Sequence, residues 1–228
     1  MKILAIGTSG KNCTIAISED KKLIKEINID TGLTHSETLL PNIEKILQET
    51  KFTLNDMDAY AVSIGPGSFT GIRIGVSTIK GLCLGVDKPV IAVSSLLALA
   101  YNKKDFNGYI ISCIDAKNDN VYAGIYKNEN GTIKQVGEYI SDNISVLNDR
   151  IASLENEYVL VEDKDTYEYA SKIAEAAFDL YEQGIVTDGV HVSPLYLKKS
   201  QAERELEEKN DNNWKNEKRI YRWCIRNR

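Results

Sequence analysis

Two stretches of this chain repeat one order of strands and helices, and no other feature restricts the fold as tightly. Residues 2–8 (KILAIGT) read as a buried strand, and residues 12–18 (NCTIAIS) alternate as a half-buried strand does. Ser9, Gly10 and Lys11 between them are turn chemistry. A third strand at about 22–30 follows a turn at Glu19 and Asp20. A helix is predicted from about 35 to 50. Thr34 and Glu37 have capping-box spacing there, and Leu39, Leu40, Ile43, Ile46 and Leu47 form an apolar face. Residues 58–64 are a strand, a glycine-rich turn opens a second helix at about 69–85, residues 89–93 are a strand, and Ser94 caps a short third helix. The order then recurs: strands at 109–115, 120–126 and 132–140, a helix at about 142–155, a strand at 158–162 and a helix at about 166–183. Without a gap, Ile3 falls on Ile111, Ile6 on Ile114, Gly7 on Asp115, Asn12 on Asn120, Ile15 on Ala123 and Ile17 on Ile125. A duplicated β-β-β-α-β-α unit is a statement about architecture, because one chance motif cannot produce it.

Such a unit resembles the α/β fold of actin, hexokinase and the heat-shock-chaperone ATPases, two tandem domains facing across a cleft. The resemblance implies an N-terminal actin-like domain over residues 1–103 that binds a partner, a trimmed C-terminal actin-like domain over 104–200 with room for one helix fewer, and a basic tail over 201–228. The polar, turn-rich residues 102–107 mark the boundary. In phosphotransferases of this fold, a carboxylate ending the first strand of each half helps hold metal and nucleotide. Asp115 has that place in the second half, but Gly7 has it in the first. Glycine has no side-chain oxygen for a hard cation, which speaks against ATP hydrolysis. Asp115 also reads as an ordinary acid at a strand-end turn.

The loop Gly65-Pro66-Gly67-Ser68-Phe69-Thr70-Gly71 joins a strand to a helix. No Gly-Lys-Ser/Thr follows, so it is not a Walker loop. Two readings stand. Free amides at Gly65, Gly67, Ser68 and Thr70, with Asp115 across the cleft, suit a nucleotide or anion; a tight turn that only orients the helix suits the same residues. In the helix itself, Gly71 and Gly75 are four apart, as are Gly81 and Gly85. An interior glycine costs about 1 kcal/mol relative to alanine. Packing within one domain explains one such pair; two pairs point to a partner helix. The candidate contact residues are His35, Leu39 and Ile43 on the first helix and Phe69, Gly71, Ile74, Gly75 and Thr78 on the second.

Other chemistry is sparse. Ser36 beside His35 cannot face it, since neighbours on a helix diverge by about 100°. His191 is the only other histidine, and two isolated histidines make a poor metal site. The cysteines, Cys13, Cys83, Cys113 and Cys224, are far apart and suit a reducing cytoplasm. No apolar run is long enough for a signal peptide or a membrane span. A formal net charge of -5 lacks the positive field that drives nucleic-acid binding, so any RNA is held mainly by something else. From Lys209 to Arg228 there are seven Lys or Arg and two acids, with Trp214, Tyr221 and Trp223 between them. That composition suits stacking on single-stranded RNA, or a tail with no fixed structure.

Several blocks taken together resemble the TsaB family, also called YeaZ: residues 65–75 (GPGSFTGIRIG), Thr34-His35-Ser36-Glu37 with Leu39-Leu40-Pro41, Asp115-Ala116 with Val121-Tyr122, and Pro194-Leu195-Tyr196-Leu197 with Gln201-Ala202-Glu203. The resemblance covers about residues 1–205. It implies a non-catalytic paralogue of TsaD, the subunit that transfers a threonylcarbamoyl group to the adenosine beside the tRNA anticodon. It further implies a scaffold that binds TsaD, with TsaE as an ATPase partner, pairs with itself when alone, and meets tRNA only through the complex. No cofactor is required, and a nucleotide held weakly or at an interface is the one left open. The catalytic relative uses a His-x-x-x-His metal pair, whereas here Leu39 stands four places after His35. The chain departs from the family pattern at Gly7, where the family has Asp, in the short segment between Val161 and Pro194, and beyond about Lys209. The competing expectations are an ATP-dependent small-molecule or acyl kinase, which needs the missing carboxylate, and a metallopeptidase, which needs metal ligands.

Overall fold

The computed structural model describes residues 1–30, 32–154, 157–164 and 169–198. Met1–Leu197 form one compact unit. The first sheet contains β1 (Lys2–Gly7), β2 (Cys13–Glu19), β3 (Lys22–Ile29), β4 (Ala59–Ser63) and β5 (Val90–Val93), in the order β3-β2-β1-β4-β5. β1 and β2 are antiparallel, whereas β4 runs parallel to both β1 and β5. The second sheet repeats this plan. β6 (Gly108–Asp115) and β7 (Asn120–Glu129) are antiparallel, β10 (Tyr158–Glu162) lies parallel to β6, and the order is β10-β6-β7-β8. The hairpin registers Gly7↔Thr14 and Asp115↔Val121 place Gly7 and Asp115 at the ends of the corresponding strands, β1 and β6.

The predicted strand 132–140 is in fact two. β8 (Thr132–Gln135) pairs with residues 126–129 of β7, and β9 (Ile140–Asn143) pairs with residues 120–123. Gly137, at φ +71°, breaks the run between them. The helix that follows, α4 (Ile144–Ala152), therefore starts later than position 142, with the Asn143 side chain accepting from Ser145 N at 3.0 Å.

Side-chain caps explain where the first two helices start. α1 (His35–Thr50) opens with Thr34 N donating to Glu37 Oε2 at 3.0 Å. α2 (Phe69–Gly85) opens with Ser68 Oγ accepting from Gly71 N at 3.2 Å. Both pack on one face of the first sheet, where Leu39, Ile43, Ile46, Ile72, Val76 and Ile79 meet Leu4, Ile6, Ile15, Ile17 and Val62. Each such side chain contributes about 1.5–3 kcal/mol when fully buried.

The remaining two helices are exchanged. α3 (Ser95–Ala100) follows the first sheet in sequence but packs on the second, where Leu96, Leu99 and Ala100 meet Ile110, Ile114, Tyr126 and Val161. α5 (Ala170–Glu182) follows the second sheet but packs on the first. Its residues Ala170, Ile173, Ala174, Ala177 and Phe178 lie on Ile3, Ala5, Ala16, Ala59, Ala61, Ile91 and Val93. Alanines on both sides allow this close approach. α4 packs Leu147 on the other face of the second sheet. Among the described residues, no helix is long and apolar enough to cross a membrane.

Candidate functional site

Between the two sheets lies a cavity of about 760 Å³. Residues 9–12 of the β1–β2 turn and Gly67, Ser68 and Phe69 line it from the first sheet; residues 115–117, 163 and 164 line it from the second. Of the predicted nucleotide or anion residues, Gly67, Ser68 and Asp115 thus come together here. Thr70 instead lines a neighbouring cavity of about 370 Å³ with His35 and Ile74, and Gly65 lines neither.

The glycine-rich loop is held from three sides. Ser68 N donates to Ser9 O at 2.7 Å, Ser95 N donates to Gly65 O at 2.9 Å, and Leu195 N donates to Ile64 O at 2.8 Å. Gly65 has φ +105° and Gly67 φ +155°, and a β-carbon on Gly67 would collide with the Ser9 carbonyl. The loop therefore needs glycine for its conformation and its contact with Ser9. The Ser68 amide is committed inside the chain, and so is its hydroxyl as the α2 cap.

The cleft walls are close to charge-balanced. Lys11, Lys117 and Lys164 face Asp30, Asp115 and Asp163. Lys11 pairs with Asp30 at 2.8 Å and Lys117 with Asp115 at 3.0 Å. The Lys117 amide and ammonium hold the Asp115 carboxyl below its ordinary range. Asp163 behaves oppositely: burial pushes its carboxyl up, against the hydrogen bond it accepts from Asp115 N at 3.3 Å. Both of these carboxylates belong to the second sheet's side; Gly7, at the equivalent strand end of the first sheet, has no side chain to match Asp115. Among the described residues, no three His, Cys, Asp or Glu side chains are grouped to hold a metal ion. His35 Nε2 donates to Gly10 O at 3.0 Å, and His191 pairs with Asp188 at 2.8 Å.

Two features of the cleft carried no signal legible in the sequence. A buried hydroxyl chain runs from Ser63 to Ser95 (2.9 Å) and on to Ser9 (2.7 Å) at the cleft floor. At the rim, Phe69 stacks on Tyr196 with centroids 4.7 Å apart, and Arg73 Nε donates to the Tyr196 hydroxyl at 2.8 Å.

The predicted partner surface on α1 and α2 needs correction. Leu39 and Ile43 are only 1% and 3% exposed; they face the first sheet and cannot meet a partner. Gly71 and Gly75 do permit a close approach, but Thr8 of the same chain makes it: a β-carbon on either glycine would collide with Thr8. Phe69 is turned to Tyr196. His35, Ile74 and Thr78 are half-buried. The outward surface belongs instead to Leu40, which the periodicity put on the apolar face, to Leu84, and to the second glycine pair. Leu40 on α1 is 54% exposed, Leu84 on α2 is 89% exposed, and the space over Gly81 and Gly85 is open.

Residues 30–204 match the family model described as TsaD, tRNA N6-adenosine threonylcarbamoyltransferase. The tRNA threonylcarbamoyladenosine biosynthesis protein TsaB of Buchnera aphidicola subsp. Schizaphis graminum is 35% identical over 169 residues, 71% of this chain and 78% of that protein. The chain belongs to the TsaB family. The protein of the same name from Bacillus subtilis is 38% identical over 136 residues, and that match spans 60% of this chain and 59% of the Bacillus protein. A solved structure of YeaZ-like sequence from Pseudomonas aeruginosa superposes with a TM-score of 0.75 at 24% identity, covering 86% of this chain and 99% of that one. That likeness is one of fold. The basic tail lies outside the described residues.

Proposed function

We propose that this chain takes part in forming threonylcarbamoyladenosine on tRNA as a non-catalytic scaffold in the cytoplasm, binding TsaD, with TsaE in the same complex, and pairing with itself when alone. Membership of the TsaB family carries the reading, since the relatives are named for that biosynthesis. The outward surface of α1 and α2 supports it. An almost fully exposed leucine, Leu84, beside the open Gly81 and Gly85 gives a second helix both an apolar anchor and room to approach. The cleft supports the non-catalytic part. Its lysines and acids are equal in number, β1 ends in Gly7 where the second sheet's equivalent strand ends in Asp115, and the Ser68 amide at the loop is already bonded. Such a site has little with which to hold a triphosphate and its metal.

The deciding experiment is co-purification with the host's TsaD, followed by a tRNA modification assay with and without this chain. Modification that depends on the chain, together with a stable complex, is the expected result. Full modification in its absence, or turnover of ATP by the isolated chain that Asp115→Asn abolishes, would overturn the scaffold reading.

A further inference from the structure

Clefts between two lobes commonly close over a ligand by rotation of one lobe against the other. Residues 101–107 join α3 to β6, both on the second sheet, and reach the first sheet's side through their side chains. This segment is gripped from both sides. Tyr101 is buried in the first sheet's cluster beside Ala98 and Phe178, and its hydroxyl donates to Asp179 Oδ2 on α5 at 2.8 Å. Lys104 Nζ donates to the same oxygen at 2.8 Å. Lys21, on the β2–β3 turn of the first sheet, reaches Asp179 Oδ1 at 3.0 Å. From the second sheet, buried Asn128 on β7 donates its amide to Lys104 O at 2.5 Å and Phe106 O at 2.8 Å, and accepts from Gly131 N at 3.0 Å.

We propose that Asp179 clamps this segment to the first sheet and so holds the cleft at one aperture. The carboxylate fixes the segment's side chains to α5, which rides on the first sheet, while Asn128 fixes its carbonyls to the second. Rotation of one sheet against the other has to break one of these grips. All three Asp179 contacts join an ionised carboxylate to a donor, the stronger class of hydrogen bond. Burial keeps the Tyr101 phenol protonated, so it remains a donor. The cleft walls at residues 9–12 and 163–164 then keep a fixed spacing, which suits a scaffold better than an enzyme that must close over its substrate.

The test measures the spacing directly in the full chain. Spin labels on unnatural residues replace Lys11 and Lys164, which line opposite walls and are largely exposed, so the native cysteines stay in place. Wild type should give one narrow distance distribution. Asp179→Ala should add a second population, rising from below detection to about 10%. Tyr101→Phe removes one donor, keeps the ring, and should act in the same direction. A broad wild-type distribution, or an Asp179→Ala distribution as narrow as wild type, would overturn the clamp. If Asp179→Ala does not fold, Tyr101→Phe decides the matter on the same criterion.

Discussion

The hydroxyl of Thr8 occupies the space that a β-carbon on Gly75 would need, while donating to the Gly71 carbonyl at 2.8 Å. The glycine pair of α2 is thus a seat for the end of β1. Gly75→Ala should lower stability by about 1–3 kcal/mol through overpacking, although alanine is the better helix former. Gly81→Ala meets nothing within 4 Å and should raise stability by about 0.5–1 kcal/mol. Thermal melts of the two variants should move in opposite directions from wild type. The same contact means Gly75→Leu would report on folding rather than on a partner.

Association should be lost at Leu84 without loss of fold. Leu84→Glu is expected to weaken self-pairing in gel filtration and capture of TsaD, with its melting temperature close to wild type, because exposed substitutions usually change stability by less than about 0.5 kcal/mol. Leu39→Ala should do the reverse. It opens a cavity under α1, losing about 2–5 kcal/mol, and affects binding only as far as it unfolds the chain. A Leu84→Glu protein that pairs normally would move the interface off this part of α2.

The duplicated unit was readable because β1, β2, β6 and β7 are central strands whose burial shows directly as apolar runs and alternation. The glycine-rich block was readable because residues 64–75 have to satisfy three hydrogen bonds and a collision limit at once. Periodicity gave the apolar face of α1 but not what covers it, so Leu39 and Ile43 were read as partner contacts when they belong to the core. Spacing between glycines likewise says that something comes close and cannot say whether it is another chain or Thr8. The exchange of α3 and α5 had no local signal at all. An amphipathic helix packs equally well on either sheet, and only the tertiary connection decides.

Two carboxylates should give opposite pH dependences. Burial alone would raise the Asp179 carboxyl, but hydrogen bonds from Lys104, Tyr101 and Lys21 outweigh it and hold the group below its ordinary range. Its contribution to stability is then complete above the unfolded value, near pH 4, and is lost as pH falls through the lower folded value. The stability difference between wild type and Asp179→Asn should therefore shrink on acidification below about pH 4. Asp163 is raised by burial, so ionising it disfavours the fold at neutral pH. Asp163→Asn keeps the acceptor for Asp115 N and should stabilise the protein at pH 7, with the gain fading as the acid limb is reached. Urea melts between about pH 3 and 7 read both trends.

Ending the chain near Lys209 should leave a folded protein. Met1–Leu197 already form one compact unit, and Leu195 and Tyr196 make their contacts with Ile64, Phe69 and Arg73 inside it. The shortened protein should match the full chain in circular dichroism and in capture of TsaD. Insoluble material, or a lost complex, would give residues 210–228 a part in the assembly.

The crossed helices also set a timetable during synthesis. The first sheet has all five strands once Val93 has been made, yet the helix that covers its alanine-lined face begins only at Ala170. At about 5–20 residues per second, the ribosome takes roughly 4–15 s to bridge that interval. Throughout it, Ile3, Ala5, Ala59, Ala61, Ile91 and Val93 form an uncovered apolar surface on a nascent chain. The first half of this protein therefore carries an open apolar face until the second half is nearly complete, and a gene fragment ending at the boundary between the halves would encode a sheet that never receives its cover.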